Sequence, residues 1–558
     1  MKASDALVKL LEKETEFVFG VPGGHIIHFY DSLFKSKKIK TILTKHEQGA
    51  SFMAEGYAKV SGKLGVCTGT AGPGAFNLIS GVSEANIGGA SVMAVTGLTA
   101  EQTFGRGSLQ EVTGLIGTPN QVDLFAVITK KSKLITKENF CEDLVDLIRI
   151  SKTPKLGAVN ASIPHNVSTA DVNFFESDTN PKTTQLNESY LKKFKELLSN
   201  ASKPVCLIGY GTKVARAEKS LRKFLENNSI PFATSLKAKG VIHETHPLSL
   251  GVMGLYGQET ANEYVKNSDL IISVGLSFHE RTMHYWSKRF QKKLIQVEIA
   301  DYHLSNNYPA DLEIKSDALV FAKAVENLEI KKFADEKELK DFKEKQEYFV
   351  EKEFDKTERV NPIYLMYELN KALPDECVIF VDIGNSNCFT EKYLQIKEGQ
   401  ECFTPSSLAS MGSAVAGSVG AKLGTKKPVV CICGDGAFLM NGQEVLTAVE
   451  FNIPVIWIIQ NNGTLGMINQ LQKNVFEARY LSTQFRDTNF ANIAKEYGAE
   501  GERITSLKGF KEKLQNAVKS NKPWVFDIAI DSEQQPDKKY VNEAYLEFFK
   551  KIDISPKK

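Results

Sequence analysis

An excess of charge of one sign is the first thing this sequence lacks. Lys and Arg number 69 against 67 Asp and Glu, a formal net charge of +2. That balance excludes the broad basic surface on which nucleic acid or an anionic membrane would be held. No uninterrupted apolar run reaches the roughly 20 residues that cross a bilayer. The N-terminus shows no signal peptide; Ala3, Ala6, Leu7, Leu10 and Leu11 instead form the apolar stripe of an amphipathic helix. The eight cysteines are scattered. Cys431 and Cys433 lie two apart in an apolar run, so they share one sheet face and pack rather than bind metal. The expectation is a cytoplasmic protein with reduced thiols.

What the sequence does have is the punctuation of parallel α/β structure. Its 558 residues are too many for one core and imply three domains. A hydrophobic share of 42% and a charged share of 24% are ordinary for a globular protein. Short β-branched runs end in glycine and polar clusters and alternate with helical periodicity. Phe17–Val21 runs into Pro22-Gly23-Gly24, Ile39–Leu43 into Lys45-His46-Glu47-Gln48, and Gly65–Thr70 into Ala71-Gly72-Pro73-Gly74. A first domain is expected over 1–170. A Ser/Thr/Asn-rich linker, Ser168–Glu188, leads to a second over 186–330. The Lys/Glu-dense span Ile330–Arg359 reads as a solvated helical connector to a third over 355–545. The fold class is α/β, three doubly wound parallel-sheet domains.

The most informative stretch is Val429–Leu471. A strand, Val429–Cys433, stops at Gly434-Asp435-Gly436; a helix from Gln443 to about Phe451 follows; a second strand, Pro454–Ile459, stops at Asn461-Asn462. A right-handed crossover between parallel strands puts both polar clusters at neighbouring carboxyl ends, where open α/β sheets bind ligands. The Asp435 carboxylate, the Asn462 amide oxygen and the Thr464 carbonyl supply three hard oxygens. Mg²⁺ accepts such ligands and shares the rest of its shell with a diphosphate and water. Gly434 and Gly436 let backbone N–H groups approach phosphate. The plain alternative is a strand-end turn and an unrelated Asn-Asn-Gly turn; the two clusters together, each closing a strand, favour the ligand site.

The GDG…NN pair resembles the diphosphate-anchoring motif of thiamine diphosphate (ThDP) enzymes. Its continuation NNGTLGMINQLQ is similar to the acetolactate synthase large subunit, and so are KHEQGASFMAEGYAKVSGKLGV and TAGPGAFNLISG in the first domain. The resemblance implies ThDP with Mg²⁺ on Asp435, Asn462 and Thr464. It gives Glu47 the hydrogen bond to N1′ of the aminopyrimidine, where a shared proton favours the imino tautomer and burial would help. It places Gly24, Pro73, Asn77, Ala409 and Met411 around the bent cofactor, with Met411 either its apolar wedge or simple core packing. Gly434, Gly436, Ala437, Leu465, Gly466 and Met467 fall in the same cofactor-binding set. Gln110 and Lys130 match positions near the substrate. It further implies a homodimer or homotetramer, with the cofactor between the first domain of one chain and the third of its partner, and it leaves room for a small regulatory subunit. The loops Gly209-Tyr210-Gly211, Gly254–Gly257 and Gly275–Arg281 fall where the family holds a structural FAD, although flavin-free relatives keep the same domain.

The acceptor side departs from the family, with Leu471 for a Trp, Leu98 for a Gln, Leu109 for a Phe and Gly88 for an Asp. The resemblance implies decarboxylation of a 2-oxo acid, pyruvate first, and carboligation of the resulting enamine to a second carbonyl. Alternatives are a non-oxidative 2-oxo acid decarboxylase and acetyl transfer to another ketone such as a keto-sugar. A catalytically silent binding protein is the rival from another class; it would have no need of Glu47, Asp435 and Asn462 together.

Overall fold

The computed structural model describes residues 1–181, 186–284, 292–344, 359–405 and 408–536. Parts of the expected linker (182–185), of the connector (345–358) and of the third domain (355–358, 406–407 and 537–545) lie outside the described residues. Three six-stranded sheets hold the chain, and every strand pair in them is parallel. The first contains β1 (Phe17–Gly20), β2 (Lys40–Leu43), β3 (Gly65–Gly69), β4 (Val92–Leu98), β5 (Lys131–Leu134) and β6 (Ala158–Pro164), in the order β2-β1-β3-β4-β6-β5. The central sheet takes β7 (Pro204–Ile208), β8 (Phe232–Thr234), β9 (Ser249–Val252), β10 (Leu270–Val274), β11 (Lys293–Glu298) and β12 (Leu312–Lys315). Its order, β12-β11-β10-β7-β8-β9, is the dinucleotide-domain order, with the switch point between β7 and β10.

The third sheet is built of β13 (Cys377–Val381), β14 (Gln400–Phe403), β15 (Val429–Gly434), β16 (Val455–Asn461), β17 (Glu500–Ile504) and β18 (Trp524–Ala529). Its order, β14-β13-β15-β16-β18-β17, repeats that of the first sheet strand for strand. The inner strands β3, β4, β13 and β15 are buried almost throughout, as all-parallel sheets covered by helices on both faces require.

The linker does not hang free. Ala3 N–H donates to the Ala170 carbonyl and the Thr179 hydroxyl to Glu14, so residues after Ser168 pack back on the first domain. Within the connector, Glu336–Glu344 is helical as its charge pattern suggests.

One apolar core serves two domains. Met53, Tyr57, Val82 and Val92 from the first sheet's layers join Val415, Cys431, Cys433 and Trp457 from the third's. Cys431 and Cys433 therefore pack on one face, and all eight cysteines are free and buried. Helix Glu47–Ser61 crosses helix Ser413–Leu423 so closely that a Cβ on Gly56 would strike the Gly417 carbonyl, and one on Gly420 the Met53 carbonyl. Only glycine permits backbones to meet at that distance.

Candidate active site

β15 and β16 pair in register, with Gly434 opposite Gln460, so Asp435 and Asn462 leave the sheet side by side. The polar cluster after β15 starts a helix, Asp435–Asn441, and is not the strand-end turn of the plain alternative. A helix so short, with glycine inside it, leaves no readable periodicity. Asp435 is 2% exposed. One of its oxygens accepts the N–H groups of Asn462 (2.8 Å) and Gly463 (2.7 Å), and the other that of Gly436 (2.8 Å). Burial nevertheless dominates and pushes its carboxyl up to about 6.

The Asn462 amide oxygen accepts from the Thr464 N–H (3.1 Å) and hydroxyl (3.2 Å). Thr464 bridges to Gln484 through the Gly463 carbonyl and the Leu465 N–H, and its own carbonyl takes no part in that pairing. A Cβ on Gly436 would lie 2.7 Å from Leu465 and 3.3 Å from the Met411 methyl. A Cβ on Gly466 would lie 2.8 Å from the Asn462 amide nitrogen and 3.2 Å from that of Asn385. Asp435, Gly436, Asn462, Leu465, Gly466 and Met411 are thus one cluster at one sheet edge. Ala437 is buried in the core, which leaves its backbone for a ligand. Met467 packs against Leu255, Tyr256 and Cys388.

Three supports of this cluster escape motif reading. Buried Asp382 accepts the N–H groups of Gly412 (3.0 Å) and Ala414 (2.8 Å), fixing the turn that carries Met411 and the left-handed Ala409 (φ 63). Asn385, first residue of helix Asn385–Tyr393, donates to Gln470 (3.1 Å), and Gln470 donates onward to the Ser532 and Gln534 carbonyls. Their role depends on contacts across 30 to 85 residues, which no local pattern records.

The second cluster sits at the carboxyl edge of the first sheet. Glu47 opens helix Glu47–Ser61 behind the N-cap His46. One oxygen accepts from the Asn77 amide (2.9 Å); the other would lie 3.3 Å from a Cβ on Gly74. Glu47 is half-buried. Pro73 and Asn77 are the ends of one short helix, and a Cβ on Gly24 would meet empty space. Gln110, in left-handed backbone (φ 60), contacts His25 Nδ1 at 3.1 Å, and Gly72 (φ 65) faces it. Tyr30 lies close enough for the Glu47 charge to add to the burial that raises its phenol.

One expected substrate residue, Lys130, and one departure on the acceptor side, Gly88, lie elsewhere. Lys130 precedes β5; its N–H donates to Ala158 at the start of β6, and its ammonium donates to the Thr153 and Lys155 carbonyls (2.7 Å each). It therefore stands at the amino edge of the sheet, opposite Gln110, where burial and Lys155 lower it to about 8. Gly88 ends helix Ile79–Gly88, which runs back against the strands, and so faces the buried Glu55–Lys59 pair instead of an acceptor. Motif matching fixes a place in the chain but not the end of the sheet. Of the remaining departures, Leu98 is buried beside Ala71 and Val112, Leu109 is 82% exposed, and Leu471 is half-buried on helix Gly466–Val475.

The first and third domains also touch through Glu444. Its buried carboxylate accepts the N–H groups of Lys45 (3.1 Å) and His46 (3.1 Å), just before Glu47, and the Thr447 hydroxyl (2.6 Å). Among the described residues no hydrogen bond joins the Glu47 cluster to the Asp435 cluster.

An edge that sets one carboxylate, one amide oxygen and a helix start around glycines suits a metal-bridged diphosphate. Among the described residues there is no group of three His, Cys, Asp or Glu that could hold a metal ion. Family models agree with that chemistry. The N-terminal TPP binding domain of thiamine pyrophosphate enzymes matches residues 1–117, their central domain 191–325 and their C-terminal TPP binding domain 382–528. Fold and site together define a thiamine pyrophosphate enzyme.

The relatives narrow the class. The chain is 32% identical to the probable acetolactate synthase large subunit of Methanococcus aeolicus, over 95% of this chain and 92% of the relative. It is 32% identical to the corresponding protein of Methanocaldococcus jannaschii, with the same two coverages. To the acetolactate synthase isozyme 2 large subunit of Escherichia coli it is 29% identical, over 92% of each chain. The chain belongs to the acetolactate synthase large-subunit family of thiamine pyrophosphate enzymes.

Proposed function

We propose that the chain decarboxylates a 2-oxo acid, pyruvate first, and joins the remaining two-carbon unit to a second carbonyl, on ThDP and Mg²⁺. The observation that carries this reading is the pairing of Asp435 with the 462–464 turn at adjacent strand ends. Bound ThDP would supply an electron sink at its thiazolium ring. Ionised Asp435 and the Asn462 oxygen would hold the metal, with the Thr464 carbonyl as third ligand. N–H groups of the helix at Asp435–Asn441 would meet the diphosphate. Met411, lying over Gly436, would press on the ring system from its apolar side. Glu47, steadied by Asn77, would share a proton with N1′ of the pyrimidine. Gln110 and His25 would face the substrate carboxylate.

Those roles require the two clusters to meet, and a second copy of the chain provides the means. Large apolar side chains are exposed in both domains: Leu109 and Ile116 in the first, Leu439, Met440 and Leu481 in the third. Such side chains suit cover by a second copy, in a homodimer or a homotetramer built from it. A small regulatory subunit is proposed because the relatives are named large subunits. Eight free, buried cysteines support a reducing compartment, the cytoplasm. No helix among the described residues is long and apolar enough to cross a membrane.

No step is assigned to FAD. In the loops that the family resemblance gives to flavin, the Gly211 N–H donates to the Gly275 carbonyl, and Arg281 is held by Asn387 and Glu391 of the third domain. Incubation with ThDP, Mg²⁺ and pyruvate, followed by assay of CO₂, acetaldehyde and acetolactate, tests the reading. Acetolactate supports it. Acetaldehyde alone would make the chain a decarboxylase, and CO₂ release only on addition of another ketone would move the acceptor.

A further inference from the structure

A cavity of about 530 Å³ lies where the three domains meet, away from both clusters described above. Eight Lys and Arg side chains line it against three carboxylates, in a chain whose total net charge is only +2. Pairing does not absorb the excess. Arg216 and Lys219 of the central domain and Lys397 of the third make no ion pair among the described residues, although all three line the cavity. Lys213 is held deeper: its ammonium donates to the Cys402 carbonyl and lies 3.7 Å from the centre of the Phe403 ring, with no carboxylate in contact. Burial lowers it to about 8, the mark of a cation short of an anionic partner. His243 adds a buried Nε2 with no hydrogen bond. Val214, Val241, Ile242 and Leu156 give the same space an apolar wall.

We propose that this junction cavity binds a phosphorylated organic anion, its phosphate on Arg216, Lys397 and Lys213 and its carbon body against the apolar wall. The volume is that of a small-molecule site, and unpaired cations with an apolar flank select an organic phosphate over the bare ion. Of the flavin-type loops, Gly254–Gly257 and Gly275–Arg281 do not line it, and Gly209–Gly211 reaches it through Tyr210 alone. Position gives the site reach. Gly62 at the cavity caps the C-terminal end of the 15-residue helix whose first residue is Glu47, ~22 Å away along the helix axis. An anion clamped there ties that helix to the central and third domains.

Calorimetric titration of the ThDP- and Mg²⁺-saturated protein tests the site without reference to turnover. The probes are adenosine diphosphate, fructose 1,6-bisphosphate and inorganic phosphate. One of the two organic phosphates is expected to bind at one site per chain, more tightly than inorganic phosphate and more weakly as salt rises. The double substitution Arg216→Gln/Lys397→Gln should weaken it about tenfold or more, as for loss of charged hydrogen-bond partners. Lys219→Gln, which removes a single charge of the lining, should weaken it less while leaving the fold intact. Absence of binding by both organic probes, equal binding of inorganic phosphate, or affinity unchanged in the double variant would overturn the proposal.

Discussion

The first and third sheets have the same strand order but use their carboxyl edges in opposite ways. In the third, Asp435 is sealed and held by three N–H groups; in the first, Glu47 is half-buried and accepts one side-chain bond. Shared topology decides where a ligand meets the sheet, and burial decides what a carboxylate does there. A fixed, enclosed oxygen suits a metal. A carboxylate with one oxygen still free suits proton sharing. The two half-sites are one architecture carrying different electrostatics.

The comparison breaks most completely at Asp435. Asp435→Ala removes a full charge and the acceptor for three N–H groups, so ThDP retention at ordinary Mg²⁺ should be abolished. Unchanged affinity in a cofactor titration would remove Asp435 from the site. Glu47→Gln should do the reverse: ThDP binding changes little, while C2–H exchange of the bound cofactor slows by about 10²–10⁴-fold. Exchange by proton NMR at the wild-type rate would show that Glu47 is not the activator.

The seam between the two sheets is the next place to press. Gly56→Val drives a side chain into the Gly417 carbonyl and should cost about 3 kcal/mol, seen as a lower melting temperature. An unchanged melt would mean that the helices separate freely. The smallest effect concerns Asp382, whose carboxyl burial pushes up to about 6 despite its N–H donors. A raised folded pKa means that the folded state holds a proton the unfolded chain has released. Stability from this group is therefore full below about pH 4 and lost as pH rises to about 6, a span worth about 3 kcal/mol at most. Cofactor-free Asp382→Asn should lack that fall. Parallel melting curves for both proteins between pH 4 and 7 would count against it.

Sequence reading reaches this molecule unevenly, for physical reasons. Strand ends at Gly434-Asp435 and Asn461-Asn462 are legible because β-branched runs and glycine stops are local. Asp382 and Glu444 are not, since each acts on backbone far along the chain: Gly412 in one case, Lys45 and His46 in the other. Lys130 carries a family match yet stands at the opposite end of its sheet from Gln110. The identical strand order of first and third sheets is invisible in the residues, because a parallel sheet asks only for apolar strands and leaves their identity open.

The core shared by Met53, Tyr57, Val415 and Trp457 has a consequence for how the chain is made. During synthesis, helix Glu47–Ser61 leaves the ribosome more than 350 residues before Ser413–Leu423, its packing partner. At typical elongation rates of about 5–20 residues per second, its apolar face waits tens of seconds for cover. The nascent first domain is thus a natural client for a chaperone. Truncations that end before Ser413 should gather in aggregates, whatever the merits of their own sheet.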